Sequence, residues 1–218
     1  MIRAILLDWN QTILGDELVA YGSVVTIFKE HGIEPPSISQ YLNEITSNWM
    51  DFYFKYGFSK DTNPDYLNTI RKRYYEEHDN EAQIRPDARD TILGLKSLSL
   101  EMRVGIVSAE IESVLLNKLD QTGLLGLLDI VRGGIRGDKS PVLLEACKEL
   151  NVQPNRAIYV DDTVDGTGAA KRAGLIPIGF SNGYNSPDRL RQVTPLVINQ
   201  LSELIPLINK RTNFEIYS

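Results

Sequence analysis

The chain alternates between short apolar runs that suit buried strands and longer stretches in which apolar residues recur at helical spacing. The strand-like runs lie at 4–8 (AILLD), 103–109 (RVGIVSA), 156–162 (RAIYVDD), 175–180 (LIPIGF) and 195–199 (PLVIN). Helical patterns follow at 86–98, 111–124, 139–151 and 164–174. Continuous Val, Ile and Leu runs are typical of strands buried on both faces. The alternation therefore predicts a doubly wound α/β fold, in which helices cover a parallel sheet.

One interval, residues 18–83, departs from this alternation and contains helical patterns alone. Its three predicted helices span 18–32, 38–57 and 64–78. We expect an α/β core formed by residues 1–17 and 84–218, interrupted after its first strand by an all-helical insert at 18–83. The insert is rich in aromatic residues, which suit either its own core or contact with a second copy. Composition thus leaves a monomer and a homodimer open.

Composition and charge argue against several functional classes. The 218 residues carry a formal net charge of -6, which disfavours a nucleic-acid-binding surface. No apolar run approaches the length of a membrane span, and the N-terminal segment lacks the features of a secretion signal. The single cysteine, Cys147, allows no intramolecular disulfide. We therefore expect a cytoplasmic protein with no nucleic-acid and no membrane partner.

Polar side chains follow three of the predicted strands. Asp8 ends the first, Ser108 the second, and Asp161 with Asp162 the third, while Lys139 precedes a helix between the last two. Parallel strands present their carboxyl ends at one edge of a sheet, so these groups are expected to gather there. Carboxylates without a nearby histidine suit Mg²⁺, and an ammonium and a hydroxyl suit a phosphoryl group. We predict phosphoryl transfer from a small phosphorylated metabolite by attack of the Asp8 carboxylate on phosphorus.

The same residues resemble, in order and spacing, the four motifs of the haloacid dehalogenase-like (HAD) hydrolase superfamily. The stretch 8–12 (DWNQT) is similar to the first motif, usually Asp-x-Asp-Gly-Thr, and 159–175 (YVDDTVDGTGAAKRAGL) is similar to the fourth. Ser108 and Lys139 match the second and third. The C-terminal stretches 179–190 and 195–208 resemble the tail of phosphoglycolate phosphatase-like members, which carry a helical cap after the first strand.

This resemblance implies a Rossmannoid core, a helical cap at 18–83 and an Mg²⁺-dependent phosphatase. The residues that it implies to be catalytic are Asp8, Asn10, Ser108 and Lys139. Those implied to bind substrate phosphate are Trp9, Asn10, Ser108, Ala109 and Lys139. The implied metal ligands are Asp8, Asn10 through its backbone carbonyl, Asp161 and Asp162. Gly166, four residues after Asp162, matches the glycine of the superfamily members whose final acids are adjacent.

Two positions differ from the common first motif. Asn10 stands where phosphatases of the superfamily carry a second aspartate, which protonates the leaving group and then activates water, and an amide can do neither. Loss of a general acid/base costs about 10²- to 10⁴-fold in rate, so Asn10 is compatible with slow turnover and does not by itself imply an inactive protein. Gln11 stands where glycine is usual and must find an allowed conformation or accept strain. Asp16 is the nearest carboxylate that could replace the missing acid.

Two other functions stay open at this point. One is carbon-phosphorus or carbon-halogen hydrolysis, because superfamily members with those activities also lack the second aspartate, and DWNQT resembles the Asp-Trp-Ala-Gly-Thr of phosphonoacetaldehyde hydrolases. Those hydrolases need a Schiff-base lysine in the cap, where Lys55 is the nearest available. The other is a regulatory protein that binds phosphate without turnover. Lys55 and Arg71 to Arg73 are also candidates for contacting an anionic substrate from the cap.

Overall fold

The computed structural model describes residues 1–45 and 49–209, and its centre is a parallel sheet of six strands. The strands in chain order are β1 (Ala4–Leu7), β2 (Leu14–Gly15), β3 (Gln83–Ile84), β4 (Arg103–Val107), β5 (Ile130–Arg132), β6 (Ala157–Asp161), β7 (Ile176–Phe180) and β8 (Val197–Ile198). The sheet order is β5-β4-β1-β6-β7-β8, while β2 and β3 form a separate antiparallel pair. The predicted α/β fold is confirmed; β5, which the pattern did not predict, extends the sheet beyond β4.

Helices cover both faces of this sheet. They are α1 (Glu17–Glu30), α2 (Ile38–Glu44), α3 (Trp49–Lys55), α4 (Pro64–Glu77), α5 (Ala88–Ser97), α6 (Glu112–Gln121), α7 (Ser140–Glu149), α8 (Val164–Arg172) and α9 (Pro187–Leu190). Successive residues of β1 point to opposite faces, so Ile5 and Leu7 join one apolar cluster while Ala4 and Leu6 join the other. Both clusters are buried, and together they hold the carboxyl ends of the strands in fixed positions.

In its described part, which excludes residues 46–48, the insert contains helices α1 to α4, and these pack around an aromatic cluster. Phe28, from α1, lies at the centre of this cluster, with the ring of Phe58 4.9 Å away, centroid to centroid. The single helix expected at 38–57 is wrong, because the chain turns extended at Ile45 (φ -62°, ψ 140°) and a separate helix begins at Trp49. The central part of that expected helix, residues 46–48, lies outside the described residues.

The two strands β2 and β3 join the insert to the core. They pair side by side, with Leu14 opposite Ile84 and Gly15 opposite Gln83. The domain boundaries expected at 17/18 and 83/84 fall at the first residue of α1 and inside β3. Both connections between the two units therefore lie at one place, immediately beyond the loop that carries Asp8. Within residues 1–45 and 49–209, no helix has the length and apolarity needed to cross a membrane.

Candidate active site

The central strand and its two neighbours end beside one another. Leu7, the last residue of β1, lies opposite Ile106 of β4 on one side and Val160 of β6 on the other. This register places Asp8 next to the ends of both neighbouring strands. Ligand oxygens of Asp8, Asp161 and Asp162 lie within 4.8 Å of one another, and all three residues are buried. The structure thus brings together the acids that the sequence placed at separate strand ends.

Lys139 lies at the N-terminal end of α7 and reaches into this group of acids. Its Nζ donates to Asp8 Oδ1 at 2.9 Å, to Asp161 Oδ2 at 2.8 Å and to the Tyr159 hydroxyl at 2.9 Å. The Tyr159 hydroxyl donates in turn to the Val107 carbonyl at 2.8 Å. Burial alone would lower the pKa of Lys139, but the negative charges of Asp161 and Asp8 outweigh it and raise that pKa. The amine is therefore held as an ammonium ion against the Asp8 carboxylate.

The charges of the site fit a divalent cation. When all three buried carboxyl groups are ionised, the one ammonium leaves two negative charges without compensation. Burial raises the pKa of Asp8 to about 6, and burial with the charge of Asp161 raises that of Asp162 well above its usual range. An oxygen-rich, water-poor site of this charge matches the preference of Mg²⁺ for hard carboxylate ligands. The residues that could hold such an ion are Asp8, Asp161 and Asp162, with the backbone carbonyl of Asn10.

The two adjacent acids differ in how their oxygens are used. Asp161 Oδ1 accepts from the Thr163 amide at 2.8 Å and the Thr163 hydroxyl at 2.6 Å, while Oδ2 accepts from Lys139. Burial pushes the pKa of Asp161 upward, but Lys139 and Thr163 prevail and lower it. Asp162 Oδ2 accepts from the Tyr184 amide at 2.6 Å. Asp161 is therefore occupied mainly with orienting Lys139, and Asp162 retains more capacity to bind a cation.

Two glycines allow the backbone to approach these acids closely. A Cβ atom on Gly166 would overlap the Asp161 carboxylate, which gives a steric reason for the glycine noted in the fourth motif. A Cβ atom on Gly183 would overlap the side chain of Asp162. The loop 181–185 after β7 thus belongs to the site, although the sequence analysis missed it. The Ser-Asn-Gly sequence that follows the predicted strand 175–180 could have indicated that this loop also lies at the carboxyl edge of the sheet.

The loop after Asp8 is tightly wound. The amides of Thr12, Ile13 and Leu14 all donate to the carbonyl of Trp9, at 3.3, 2.9 and 2.9 Å. This turn puts Gln11 in the left-handed region, with φ 61°. The conformation explains why glycine is usual at this position of the motif. The Gln11 side-chain amide is fully buried, and neither its oxygen nor its nitrogen has a hydrogen-bonding partner in the described part of the chain.

Asp16 lies directly behind this loop and binds it. Its Oδ2 accepts from Asn10 Nδ2 at 2.9 Å and from the Tyr75 hydroxyl at 2.9 Å, and its Oδ1 accepts from the Gln11 amide at 3.0 Å. Asp16 is 1% exposed. Since a carboxylate only accepts hydrogen bonds, the contact requires the nitrogen of the Asn10 amide to face Asp16. Tyr75 belongs to α4, so this carboxylate joins the site to the insert.

A second residue that the sequence analysis missed, Arg85, follows β3 and fastens the same loop. Its guanidinium donates to the carbonyls of Thr12 at 3.1 Å, Gln11 at 2.9 Å and Asn182 at 2.6 Å. It also lies over the ring of Phe180, 4.9 Å from the ring centroid. Arg85 therefore fixes the loop after Asp8 relative to the loop 181–185. More than seventy positions separate it from Gln11, so no local motif could have indicated this contact.

The remaining predicted phosphate-binding residues lie around Asp8. Ser108 is 1% exposed, and its Oγ accepts from the Glu110 amide at 3.1 Å, which leaves the hydroxyl proton available to an anion. The carbonyl of Ala109 accepts from Arg136 at 3.0 Å. The side chain of Trp9 is buried in the core cluster, so its contribution is the backbone amide, which donates to Asp8.

The insert faces the site through a group of tyrosines and one arginine. The hydroxyls of Tyr41 and Tyr184 lie 2.8 Å apart, one from the insert and one from the core. The guanidinium of Arg71 lies 5.2 Å from the centroid of the Tyr75 ring and is hydrogen-bonded to that side chain. Burial raises the pKa values of Asp16, Tyr41 and Tyr184, and the positive charge of Arg71 offsets part of that rise. Although water reaches Arg71, none of the described carboxylates lies within 4.0 Å of it.

The other candidate cations of the insert are engaged elsewhere. Lys55 Nζ lies 2.7 Å from Glu44 Oε2, and Arg73 lies 2.6 Å from Glu30 Oε1. Lys72 lies 3.8 Å from Glu76 on the exposed face of α4. Of the cationic side chains predicted to contact a substrate, Arg71 is therefore the one that the structure places beside the site.

This arrangement of a parallel sheet, a helical insert and an aspartate-lysine-carboxylate group defines the chain as a member of the haloacid dehalogenase-like hydrolase family, whose sequence profile matches residues 5–179. The chain is 26% identical over 215 residues to the phosphoglycolate phosphatase of Aquifex aeolicus, covering 95% of this chain and 97% of that protein. It is 27% identical over 181 residues to "Putative phosphatase YhcW" of Bacillus subtilis, covering 80% and 81%. The predicted superfamily and the hydrolase class are confirmed.

Solved structures show the same fold. The haloacid dehalogenase-like family protein SP0104 from Streptococcus pneumoniae superposes with a TM-score of 0.79, covering 95% of this chain and 98% of that one at 19% identity. At this level of identity the likeness establishes the fold alone.

Proposed function

We propose that this chain hydrolyses the phosphate group of a small phosphorylated metabolite, with Mg²⁺ bound, through an aspartyl phosphate formed on Asp8. The observation that carries the proposal is the position of Asp8, held by Lys139 between two further buried carboxylates with a net charge that calls for a divalent cation. The names of the relatives, several of which are phosphatases, are consistent with this chemistry.

Each part of the reaction has a residue suited to it. The Asp8 oxygen that does not contact Lys139 attacks phosphorus, while the ammonium fixes the orientation of the carboxylate. The hydroxyl of Ser108 and the ammonium of Lys139 stabilise the negative charge that spreads over the phosphoryl oxygens in the transition state. Bound Mg²⁺ would supply further charge neutralisation at the same oxygens.

The insert supplies the surface that a substrate's remaining atoms would meet. The Tyr41–Tyr184 hydroxyl pair and the Arg71 guanidinium, which is hydrogen-bonded to Tyr75 and has no carboxylate partner among the described residues, lie where the insert meets the core. These groups favour a small polar or anionic metabolite over an extended apolar one. The single, buried Cys147 agrees with the cytoplasmic location that we propose for the enzyme.

The alternatives are less well supported. A Schiff-base mechanism would need a free lysine near the substrate, whereas Lys55 is paired with Glu44. A protein that binds phosphate without turnover gains support from Asn10, which cannot act as an acid or base. The two outcomes differ in whether phosphate is released repeatedly, so an assay of turnover separates them.

The decisive experiment measures phosphate release by the native protein with Mg²⁺ and with a chelator, beside Asp8→Asn, Asp162→Asn and Asp188→Asn. Asp188 has a fully exposed side chain and serves as the matched control. We expect chelation and Asp8→Asn to reduce release to background, Asp162→Asn to raise the Mg²⁺ concentration needed, and Asp188→Asn to change nothing. Release that persists in Asp8→Asn or in chelator would contradict the proposal.

A further inference from the structure

We infer that the substrate is a phosphate whose leaving group departs without a proton, namely an acyl phosphate or a phosphoric anhydride rather than an alkyl ester. The inference rests on the proposed function and specifies its substrate class. Hydrolysis of an alkyl ester needs a group beside Asp8 that protonates the leaving oxygen. Among the described residues, Asn10 has no acidic proton, and hydrogen bonds engage the nearest carboxyl group, the ammonium and the two imidazoles.

Asp16 is the first candidate, because it is the carboxyl group behind Asn10. Its two oxygens accept from three donors, namely Asn10 Nδ2, the Gln11 amide and the Tyr75 hydroxyl. A carboxyl group that carried a proton would have to turn one oxygen away from these donors. The Asn10 side chain also lies between Asp16 and the site. Asp16 therefore orients Asn10 and does not deliver a proton to the substrate.

Lys139 is the second candidate and is equally occupied. An ammonium has three protons, and those of Lys139 are directed to Asp8, Asp161 and the Tyr159 hydroxyl. The Tyr159 hydroxyl directs its own proton to the Val107 carbonyl. The Tyr75 hydroxyl directs its proton to Asp16. Each of these protons is thus used inside the protein.

The two histidines, the usual acids at neutral pH, belong to the insert. His31 Nδ1 lies 2.8 Å from the Ile27 carbonyl, with its ring against Phe58. His78 Nδ1 lies 2.9 Å from the Tyr74 carbonyl, with its ring stacked on Tyr74. Both rings are held against their own helices by residues that have no part in the site. Asp16, Lys139 and the two histidines thus supply no acid at the leaving oxygen. The hydroxyls of Ser108, Tyr41 and Tyr184 and the guanidinium of Arg71 are far weaker acids than the missing carboxyl group.

The first chemical step then has a simple balance. Asp8 Oδ forms a bond to phosphorus, the bond from phosphorus to the leaving oxygen breaks, and that oxygen departs with the electron pair as an anion. A carboxylate or a phosphate accepts this charge readily because its conjugate acid is strong, whereas an alkoxide does not. In the second step water attacks phosphorus, Asp8 recovers its carboxylate, and both hydrogens of water leave on inorganic phosphate. Because Asn10 cannot activate that water, the aspartyl phosphate should persist.

The test compares kcat/KM for acetyl phosphate, pyrophosphate, 4-nitrophenyl phosphate, phenyl phosphate and glycerol phosphate. These leaving groups range from a carboxylate, with a conjugate acid of pKa about 4, past a phenol of about 10 to an alcohol. The proteins are the native chain, Asp8→Asn, Asn10→Asp, and the exchange Asn10→Asp with Asp16→Asn. The exchange restores one amide-to-carboxylate hydrogen bond with the acid moved to position 10, and so guards against misfolding from two buried carboxylates in contact.

For the native chain we expect kcat/KM to fall by about 10²- to 10⁴-fold from acetyl phosphate to phenyl phosphate, and further for glycerol phosphate. The exchange variant should recover most of that loss for the phenyl and glycerol esters. Its gain in kcat/KM for acetyl phosphate should be much smaller than its gain for phenyl phosphate, because no proton is needed there. The native chain should also show a rapid burst of leaving group, equal to the enzyme concentration, before slow turnover. Comparison of acetyl phosphate with pyrophosphate decides between a carboxylate and a phosphate as the leaving group.

A native chain that hydrolyses glycerol phosphate as efficiently as acetyl phosphate, with Asp8→Asn inactive, would overturn this inference and leave the proposed function intact. An equal gain for all substrates in the exchange variant would also overturn it. If no substrate yields activity that depends on Asp8, the proposed function fails, and the inference fails with it.

Discussion

The substitution Lys139→Met tests whether the ammonium balances the buried acids. Met has a similar length but no charge, so three buried carboxylates would remain without a cation. Removal of one partner from a buried ion pair typically costs about 3 to 5 kcal/mol. For a chain of this size each kcal/mol lowers the melting temperature by about 2 to 4 °C, so we expect a fall of about 6 to 20 °C.

The loss of stability in Lys139→Met should also depend on pH. The pKa of Asp8 in the fold is about 6, above its ordinary value, so ionisation of this group costs stability as pH rises through that range. Without Lys139 the cost increases, and the stability deficit of the variant should be larger at pH 8 than at pH 5. Thermal unfolding at both values, with the exposed Lys60→Met as control, measures it. A small deficit that is equal at both pH values would refute the charge-balance argument.

Three further predictions concern positions around the site. Gly166→Ala should destabilise the chain by about 1 to 3 kcal/mol despite the helix preference of alanine, because its Cβ overlaps the Asp161 carboxylate; a higher melting temperature would contradict this. Gln11→Gly should raise the free energy of unfolding by about 1 kcal/mol, seen as a higher urea midpoint, because glycine adopts a left-handed backbone without strain and removes a buried amide that lacks a partner. A lower midpoint would contradict this prediction. Hydrogen bonds from Arg172 and Ser140 lower the pKa of Asp138 to about 2, so its stabilisation is present above about pH 4 and lost as pH falls towards 2. Asp138→Asn should therefore flatten the stability profile over that interval, and an unchanged acid transition would show that the contact contributes nothing.

The sequence predicted those parts of the molecule in which a residue's role is set by its own segment. Asp8, Ser108 and Asp161 each follow a continuous apolar run, and the parallel pairing of such runs brings their ends together whatever the details of packing. The helices of the core were predicted for the same reason, since their apolar spacing is local.

The parts that were missed depend on contacts between distant segments. Arg85 belongs to a polar stretch without a motif, and its partners Gln11 and Asn182 become neighbours only when the chain closes around the sheet. In the sequence, Tyr159 is indistinguishable from an ordinary buried strand residue, and its contact with Lys139 is visible only in the structure. The break after α2 was missed because apolar periodicity continues through 38–57 and does not record a change of helix direction at Ile45.

The pairing of β2 with β3 bears on how the insert could be replaced by a different segment. Gly15 and Gln83, where the insert leaves and rejoins the core, lie opposite each other in one register. Because the two ends of the insert are already paired, an insert of a different length adds little loop-closure entropy to the cost of folding the core. A different segment could therefore replace the insert between the same two strands, provided that it supplies a partner for Asp16 in place of Tyr75. Grafting a different insert between these two strands is thus a route to changing the surface that the insert presents to Asp8.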